Sequence, residues 1–235
     1  MTNVLQTVFF VFVAGIVGTV LIGVQSRNLQ AVVNGIASIV ATALPALGEL
    51  VITHRIGADV TFGPELSVWL AVAGFLHMLG MLGWYETVSW WDHLTHTVSA
   101  SLLAALVYAS LQIPSALGSQ VTDAYAAIFT VLFTLGAGVF WELVELAARE
   151  IGEYIDRPPV LEYYGLRDTV LDMVFNGIGA IVVVAFDVRI FVSVTEQIPQ
   201  ISGTVVIGST ILLFVGTLVL GLVLETVRNT EAETG

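Results

Sequence analysis

The sequence predicts an all-α fold, a polytopic bundle of seven transmembrane helices, and three observations support this prediction. Of the 235 residues, 57% are hydrophobic and only 11% are charged, whereas soluble domains have about 25% charged residues. The mean hydropathy is +0.92. Apolar runs of about 20 residues, long enough to cross ~30 Å of hydrocarbon, recur along the chain. We therefore expect one membrane domain over residues 1–228 and a loose polar tail over 229–235.

The first three helices are predicted from apolar runs and the polar breaks between them. The run over residues 5–24 follows a segment without a basic residue, so it lacks the positive flank of a secretory signal and is expected to be retained. A polar break at 25–28 separates it from the second helix, which is expected over residues 31–52. Pro64 suits the first turn of a helix, and the third helix is expected over residues 65–84.

Four further helices follow by the same reasoning. They are expected over residues 92–111, 124–149, 168–186 and 205–224. The turn before the fourth helix is rich in tryptophan and tyrosine, which are typical of the headgroup level of a membrane. The longest polar interval, 150–167, separates the fifth helix from the sixth, and the segment 187–203 is too short and polar to span.

The arginines predict the orientation, because cytoplasmic connections are enriched in basic residues. With seven spans, one side of the membrane holds Arg27, Arg149, Arg157, Arg167 and Arg228, and the other holds Arg55 and Arg189. This distribution predicts a multi-pass protein of the cell membrane with its N-terminus outside and its C-terminus inside.

Charge composition excludes several function classes. Acidic residues outnumber basic ones 19 to 7, and all seven basic residues are arginine. This acidic, lysine-free composition is typical of a halophilic, archaeal-like protein, because high salt screens repulsion between exposed carboxylates. A net charge of −12 argues against nucleic-acid binding. The lack of lysine excludes Schiff-base chemistry, and the lack of cysteine excludes disulfides and thiolate ligands. The composition does not indicate an oligomeric state.

Seven ionisable side chains lie at the helix ends that are predicted to face inside. They are Asp92, His93 and His96 at the start of the fourth helix, Glu142 and Glu145 near the end of the fifth, and Asp168 and Asp172 at the start of the sixth. Helical spacing places the members of each group on one arc of their helix. Three independent segments therefore bring ionisable residues to one depth of the membrane.

This pattern predicts a metal centre, because carboxylates and imidazoles on facing helices build the metal sites of helical bundles. We expect a divalent metal (Zn, Mn or Fe), since these metals suit mixed nitrogen and oxygen ligands. The candidate ligands are Asp92, His93, His96, Glu142, Asp168 and Asp172. Glu142 and Glu145 are the candidate catalytic residues, with Glu142 as a ligand or as the general base. Arg167 and Asn176 would orient the headgroup of a membrane lipid or lipid-linked substrate.

Ordinary structural roles compete with these assignments. Asp92 and Asp168 could each cap a helix, and His93 could lie at the headgroup level. Glu145 could pair with Arg149 one turn later on the same helix. These alternatives predict a solvated or capped helix end without a site.

His96, Glu142 and Asp172 fit such structural roles less well than the other ionisable residues do. His96 lies one turn deeper than a cap would, and Glu142 and Asp172 have apolar neighbours in sequence, where carboxylates are usually functional. His77 is expected to be a packed, hydrogen-bonded histidine in the third helix. Arg167 could instead bind a lipid phosphate or pair with an acidic residue.

A family resemblance covers about residues 91–184. Its motifs are Asp92-x-x-x-His96, Glu142 with a polar partner at 145, and Arg167-Asp168-x-x-x-Asp172-x-x-x-Asn176-x-x-Gly179-Ala180. With these motifs the chain resembles the VanZ-like and YjdF-like integral membrane proteins. The resemblance implies a small multi-helix membrane protein and no particular reaction.

Three classes of function remain open on the sequence. The leading hypothesis is a metal-dependent membrane hydrolase or transferase that acts on a lipid or lipid-linked substrate. Carboxylates and histidines within a membrane also form proton or cation relays, which would make the protein an ion- or proton-coupled transporter. The third hypothesis is a non-catalytic structural or regulatory protein, in which the cluster only fixes the fourth, fifth and sixth helices.

Overall fold

A computed structural model describes residues 2–113, 121–156, 159–161 and 163–234, with side chains for 3–226 within those ranges. Arg157 and the side chains of Arg228 and of the predicted tail lie outside the described residues. The described part contains helices and no strand, and seven helices are long and apolar enough to cross a membrane. The predicted all-α bundle of seven spans is confirmed. The spanning helices are α1 (Thr2–Ser26), α2 (Leu29–Ile56), α3 (Pro64–Leu79), α4 (Trp91–Leu111), α5 (Asp123–Tyr154), α6 (Leu166–Ala185) and α7 (Pro199–Thr234).

Several helices extend beyond their predicted ends, because hydropathy detects only the part of a helix that lies in hydrocarbon. The end of α5 continues through a polar turn in which Arg149 pairs with Glu153 at 2.8 Å. The backbone of α7 is helical to Thr234, so it includes most of the segment predicted as a loose tail. A short helix, Val192–Gln197, lies within the segment predicted not to span.

The third span is not a regular helix to its end. After α3 the chain forms a π-helical turn over Gly80–Trp84 and a single α-turn over Tyr85–Thr87. Gly83 has a φ of +107°, a conformation that glycine adopts without steric cost. A Cβ at Gly80 would lie against the ring of Tyr85, so glycine lets this ring fold back onto the helix. The turn therefore directs Tyr85 into the bundle.

The fourth span is the centre of the bundle. In α4, 61% of the most apolar window is buried, against 28% or less in every other span. It packs most closely against α6 and also contacts α3 and α5, while α1, α2 and α3 pack together. A Cβ at Gly179 of α6 would lie 2.6 Å from the backbone oxygen of Thr97, so this glycine permits the close approach of α4 and α6. Residues on facing turns of these two helices are therefore brought into contact.

Candidate functional site

Three side chains on α4 and α6 form a compact group. Nε2 of His96 lies 3.6 Å from Oδ1 of Asp92, one turn earlier on α4, and 3.6 Å from Oδ1 of Asp172 on α6. One ligand atom from each residue lies within 4.8 Å of the other two, and together they could hold a metal ion. A nitrogen and an oxygen 3.6 Å apart are too distant for a normal hydrogen bond. Nε2 of His96 thus faces an oxygen of each carboxylate without a direct hydrogen bond to either.

The orientation of the His96 ring is set from its other side. Nδ1 of His96 lies 3.3 Å from the amide oxygen of Asn176, which can only accept a hydrogen bond. With its proton on Nδ1, the neutral ring donates to Asn176 and presents the lone pair of Nε2 to the two carboxylates. Gly138 on α5 makes room for this contact, since a Cβ there would lie 2.6 Å from Nδ2 of Asn176.

Asp172 is the most deeply buried member of the group. Its residue is only 2% exposed, and its Oδ1 receives no hydrogen bond from the described residues. A buried carboxylate oxygen without a hydrogen bond is costly, because burial removes its hydration. The same oxygen faces the lone pair of His96. A proton or a cation between these atoms would remove the cost.

The group lies at the polar end of a cavity of about 450 Å³. Asp168 and Glu145 line the same end, and Trp141 donates from Nε1 to Oε1 of Glu145 at 2.6 Å. Most of the apolar lining residues come from α3, α4 and α5, and they include Leu70, Ala73, Ala100, Leu102, Leu103 and Ala137. The volume is within the range of small-molecule sites, which are ~300–1,000 Å³. The cavity therefore combines a carboxylate-rich end with an apolar interior.

His77 is a packed, hydrogen-bonded histidine, as expected, and it also lines the cavity. Its Nδ1 lies 2.8 Å from the hydroxyl of Tyr85, and its Nε2 lies 3.3 Å from Oδ1 of Asn34. Asn34 also donates to the backbone oxygen of Val160, which precedes α6. This polar chain joins α2, α3 and the connection between α5 and α6 beside the candidate site.

Three predicted site residues lie outside the cavity lining. The ring of His93 stacks on Phe175, with centroids 4.1 Å apart and planes 8° apart. Glu142 is 6% exposed, and its Oε2 accepts a hydrogen bond from Thr169 at 2.7 Å. Arg167 is exposed at the start of α6. Rotation about the helix axis explains His93 and Arg167, because one residue step turns a side chain by about 100° away from its neighbours Asp92 and Asp168. Glu142 instead contacts α6 through Thr169.

Two of the structural alternatives, the helix caps and the pair of Glu145 with Arg149, are not observed in the described residues. Trp90 and Gly165 occupy the N-cap positions of α4 and α6, and neither helix has a side-chain cap. Asp92 and Asp168 therefore lie inside the first turn rather than at the cap. Arg149 pairs with Glu153 and not with Glu145. The helix caps and the Glu145–Arg149 pair therefore do not account for these residues.

Sequence reasoning missed three polar partners of the site, Tyr85, Thr169 and Trp141. Trp141 lies one turn before Glu145, so the spacing of four residues could have indicated their contact. Thr169 and Tyr85 gave no comparable signal, because their contacts depend on the packing of α5 on α6 and on the π-turn.

Comparisons with known proteins identify relatives without an assigned reaction. The family described as "Predicted membrane protein (DUF2238)" matches residues 6–193. An uncharacterized protein of Thermotoga maritima is 30% identical over 119 residues, which are 49% of this chain and 58% of that protein. The match thus spans somewhat more than half the length of that relative. No solved structure matches the chain.

Proposed function

The chain belongs to the DUF2238 family of membrane proteins, and we propose that it is a metal-dependent membrane enzyme. The proposed reaction is hydrolysis or group transfer on a lipid or lipid-linked substrate. Asp92, His96 and Asp172 would hold the metal, with zinc, manganese or iron as the candidate ions. Membership of this family supports the assignment to the membrane, and the metal and the reaction are proposed from the geometry of the site.

One observation carries the proposal: the lone pair on Nε2 of His96 faces two carboxylate oxygens, each 3.6 Å away, and no hydrogen separates them in the neutral ring. Acceptors that converge in this way repel each other unless a proton or a cation lies between them, and a metal ion would satisfy all three groups at once. Ligand atoms on metal bonds of about 2.1 Å, at the tetrahedral angle, are about 3.4 Å apart. The observed spacing is therefore close to that of a metal site.

The contact on the other side of the His96 ring fits the same purpose. Histidine ligands usually donate their other ring nitrogen to an acceptor, which fixes the tautomer and the ring orientation. Asn176 supplies this acceptor, so its proposed role changes from contacting a headgroup to positioning His96. A bound divalent metal would supply Lewis acidity and lower the pKa of a coordinated water.

Glu145 is the better placed of the two glutamates predicted to be catalytic. It lines the cavity together with the three candidate ligands, whereas Glu142 lies behind them against Thr169. We assign to Glu145 the transfer of a proton at the cavity end, and to Trp141 the orientation of its carboxylate through the 2.6 Å hydrogen bond.

The metal content of the purified protein tests this proposal. We expect about one equivalent of a transition metal in the wild type and loss of it in His96→Ala and Asp172→Asn. His93→Ala and Glu153→Gln are the controls, since one removes the neighbouring histidine and the other an exposed carboxylate, and both should retain the metal. If the wild type takes up no zinc, manganese or iron and the His96→Ala variant only loses thermal stability, the group is a structural knot.

A further inference from the structure

The candidate cavity extends along the axes of the spanning helices. On α4 its lining extends from Asp92 to Leu103, and on α5 from Glu145 to Thr134. Each pair is eleven residues apart, which at 1.5 Å per residue is about 16 Å along a helix. This length is roughly half of the ~30 Å hydrocarbon thickness. Two independent helices thus give the same depth for the cavity.

The lining changes in character along this length. All the carboxylates lie at one end, and toward the other end α3 and α4 contribute Leu70, Ala73, Gly74, Ala100, Leu102 and Leu103. Small and aliphatic side chains in a membrane-embedded slot favour an alkyl or prenyl chain, because such a chain has no hydrogen-bonding groups to satisfy there. The shape therefore fits an amphiphile with its polar group at the acidic end.

The charge of the polar end restricts the headgroup. Four carboxylates line it (Asp92, Asp168, Asp172 and Glu145), and the described lining residues include no arginine. The cluster contains an acceptor that needs a partner, the buried Oδ1 of Asp172, which is on a residue only 2% exposed. With a divalent cation held by Asp92, His96 and Asp172, the carboxyl groups of Asp168 and Glu145 remain at this end as hydrogen-bond acceptors. An anionic phosphate would add like charge at short range.

We propose that the cavity binds a single-chain amphiphile whose headgroup is not anionic and carries hydrogen-bond donors, such as hydroxyls. The donors bind the carboxylates of Asp168 and Glu145, and the chain lies along α3 and α4. This inference deepens the proposed function and rests on it, because it takes the bound amphiphile to be the substrate. The same carboxyl groups disfavour a phosphate-bearing lipid, because they offer a phosphate acceptors and no donors.

Binding of two probes with the same chain tests the headgroup. Wild-type protein in phosphatidylcholine nanodiscs is titrated with monododecanoyl glycerol and with dodecyl phosphate. We expect saturable binding of the glycerol ester and at least tenfold weaker binding of the phosphate, at a pH where the phosphate is ionised. Equal or tighter binding of dodecyl phosphate, or no saturable binding of the glycerol ester, would overturn the inference.

Two neighbouring substitutions test the path of the chain. Ala137→Phe adds bulk to the cavity lining, whereas Gly136→Phe adds similar bulk where a Cβ has no atom within 4 Å. Ala137→Phe should weaken binding of monododecanoyl glycerol at least tenfold, and Gly136→Phe should not. Ala73→Phe adds bulk from α3 and should have the same effect as Ala137→Phe if the thermal midpoint shows that it folds. Unchanged binding in a folded Ala137→Phe or Ala73→Phe variant would contradict the assigned path.

The metal content of the same samples separates the two proposals. Binding of the glycerol ester to a protein that takes up no metal would support the ligand class and reject the metal-dependent enzyme. Metal uptake without binding of either probe would reject the ligand class and leave the metal centre in place.

Discussion

His96 on α4 and Asn176 on α6 are joined by a hydrogen bond of 3.3 Å between Nδ1 and the amide oxygen. The contact crosses the closest helix pair of the bundle, where Gly179 allows α4 and α6 to approach. It fixes the face of the imidazole that is turned toward Asp92 and Asp172. The packing of two helices therefore sets the chemistry of the candidate centre.

Asn176→Leu should lower the affinity for the metal by about 10- to 100-fold, because Nδ1 of His96 loses its hydrogen-bond acceptor. Asn176→Asp keeps an acceptor oxygen at this position and should bind the metal as tightly as the wild type. Titration of the metal-free protein with zinc measures both affinities. Equal affinities of wild type and Asn176→Leu would mean that the hydrogen bond does not position the ligand.

Gly179→Ala should destabilise the protein by about 1–3 kcal/mol, because the new methyl group would meet the backbone oxygen of Thr97 at 2.6 Å. Gly177→Ala is the matched control on the same helix, since its nearest neighbour outside the helix would be Leu135 at 3.6 Å, an ordinary contact. Denaturant unfolding in detergent measures the difference. Equal stability of the two variants would show that α4 and α6 can separate without cost.

The spans were predictable from sequence, whereas the order of packing was not. Hydropathy reports whether a segment is apolar enough to cross the membrane, and all seven runs met that condition. A membrane helix is apolar on its lipid-facing and buried sides alike, so no periodicity distinguished the central α4 from the peripheral α7. Only 6% of the window in α7 is buried, against 61% in α4.

The sequence predicted which helical turns carry the candidate site, but not which side chains of those turns face it. The i, i+4 spacing of Asp92 and His96 and the stripe from Asp172 to Asn176 indicated residues that the structure brings together. The spacing could not show how α4 is rotated relative to α6, and this rotation turns His93 onto Phe175. Tyr85 was missed because the π-turn after Gly80 changes its direction.

We expect the side chain of Asp187, which lies beyond the end of α6, to make the stability of the folded protein depend on pH in the acidic range. Its Oδ1 accepts hydrogen bonds from Arg189 at 2.7 Å and from Tyr108 at 2.9 Å. The Arg189 guanidinium first, and then the Tyr108 hydroxyl, lower the pKa of Asp187. The ionised Asp187 side chain therefore contributes to stability above the ordinary carboxyl pKa of about 3.9. This contribution is lost as the pH falls through the lower pKa that Asp187 has in the folded protein.

Asp187→Asn should consequently lower the thermal midpoint at pH 7 and have a smaller effect as the pH falls below about 4. Asparagine keeps the acceptor for Tyr108 and tolerates the positive φ of 49° at this position, so the change isolates the charge. Arg189→Gln should give the same pH dependence. A decrease of equal size at pH 7 and at pH 3 would assign the effect to packing rather than to charge.

The orientation predicted from the arginines places the acidic end of the cavity at the inner side of the membrane, and two single cysteines test it. The chain has no cysteine, so any introduced one is labelled alone. Asp59 is exposed in the connection between α2 and α3, and Glu153 is exposed near the end of α5, on the opposite side. An impermeant maleimide added to intact cells should label Asp59→Cys directly and Glu153→Cys only after lysis. The reverse pattern would place the acidic end of the cavity outside, so that a substrate headgroup would enter from the outer leaflet.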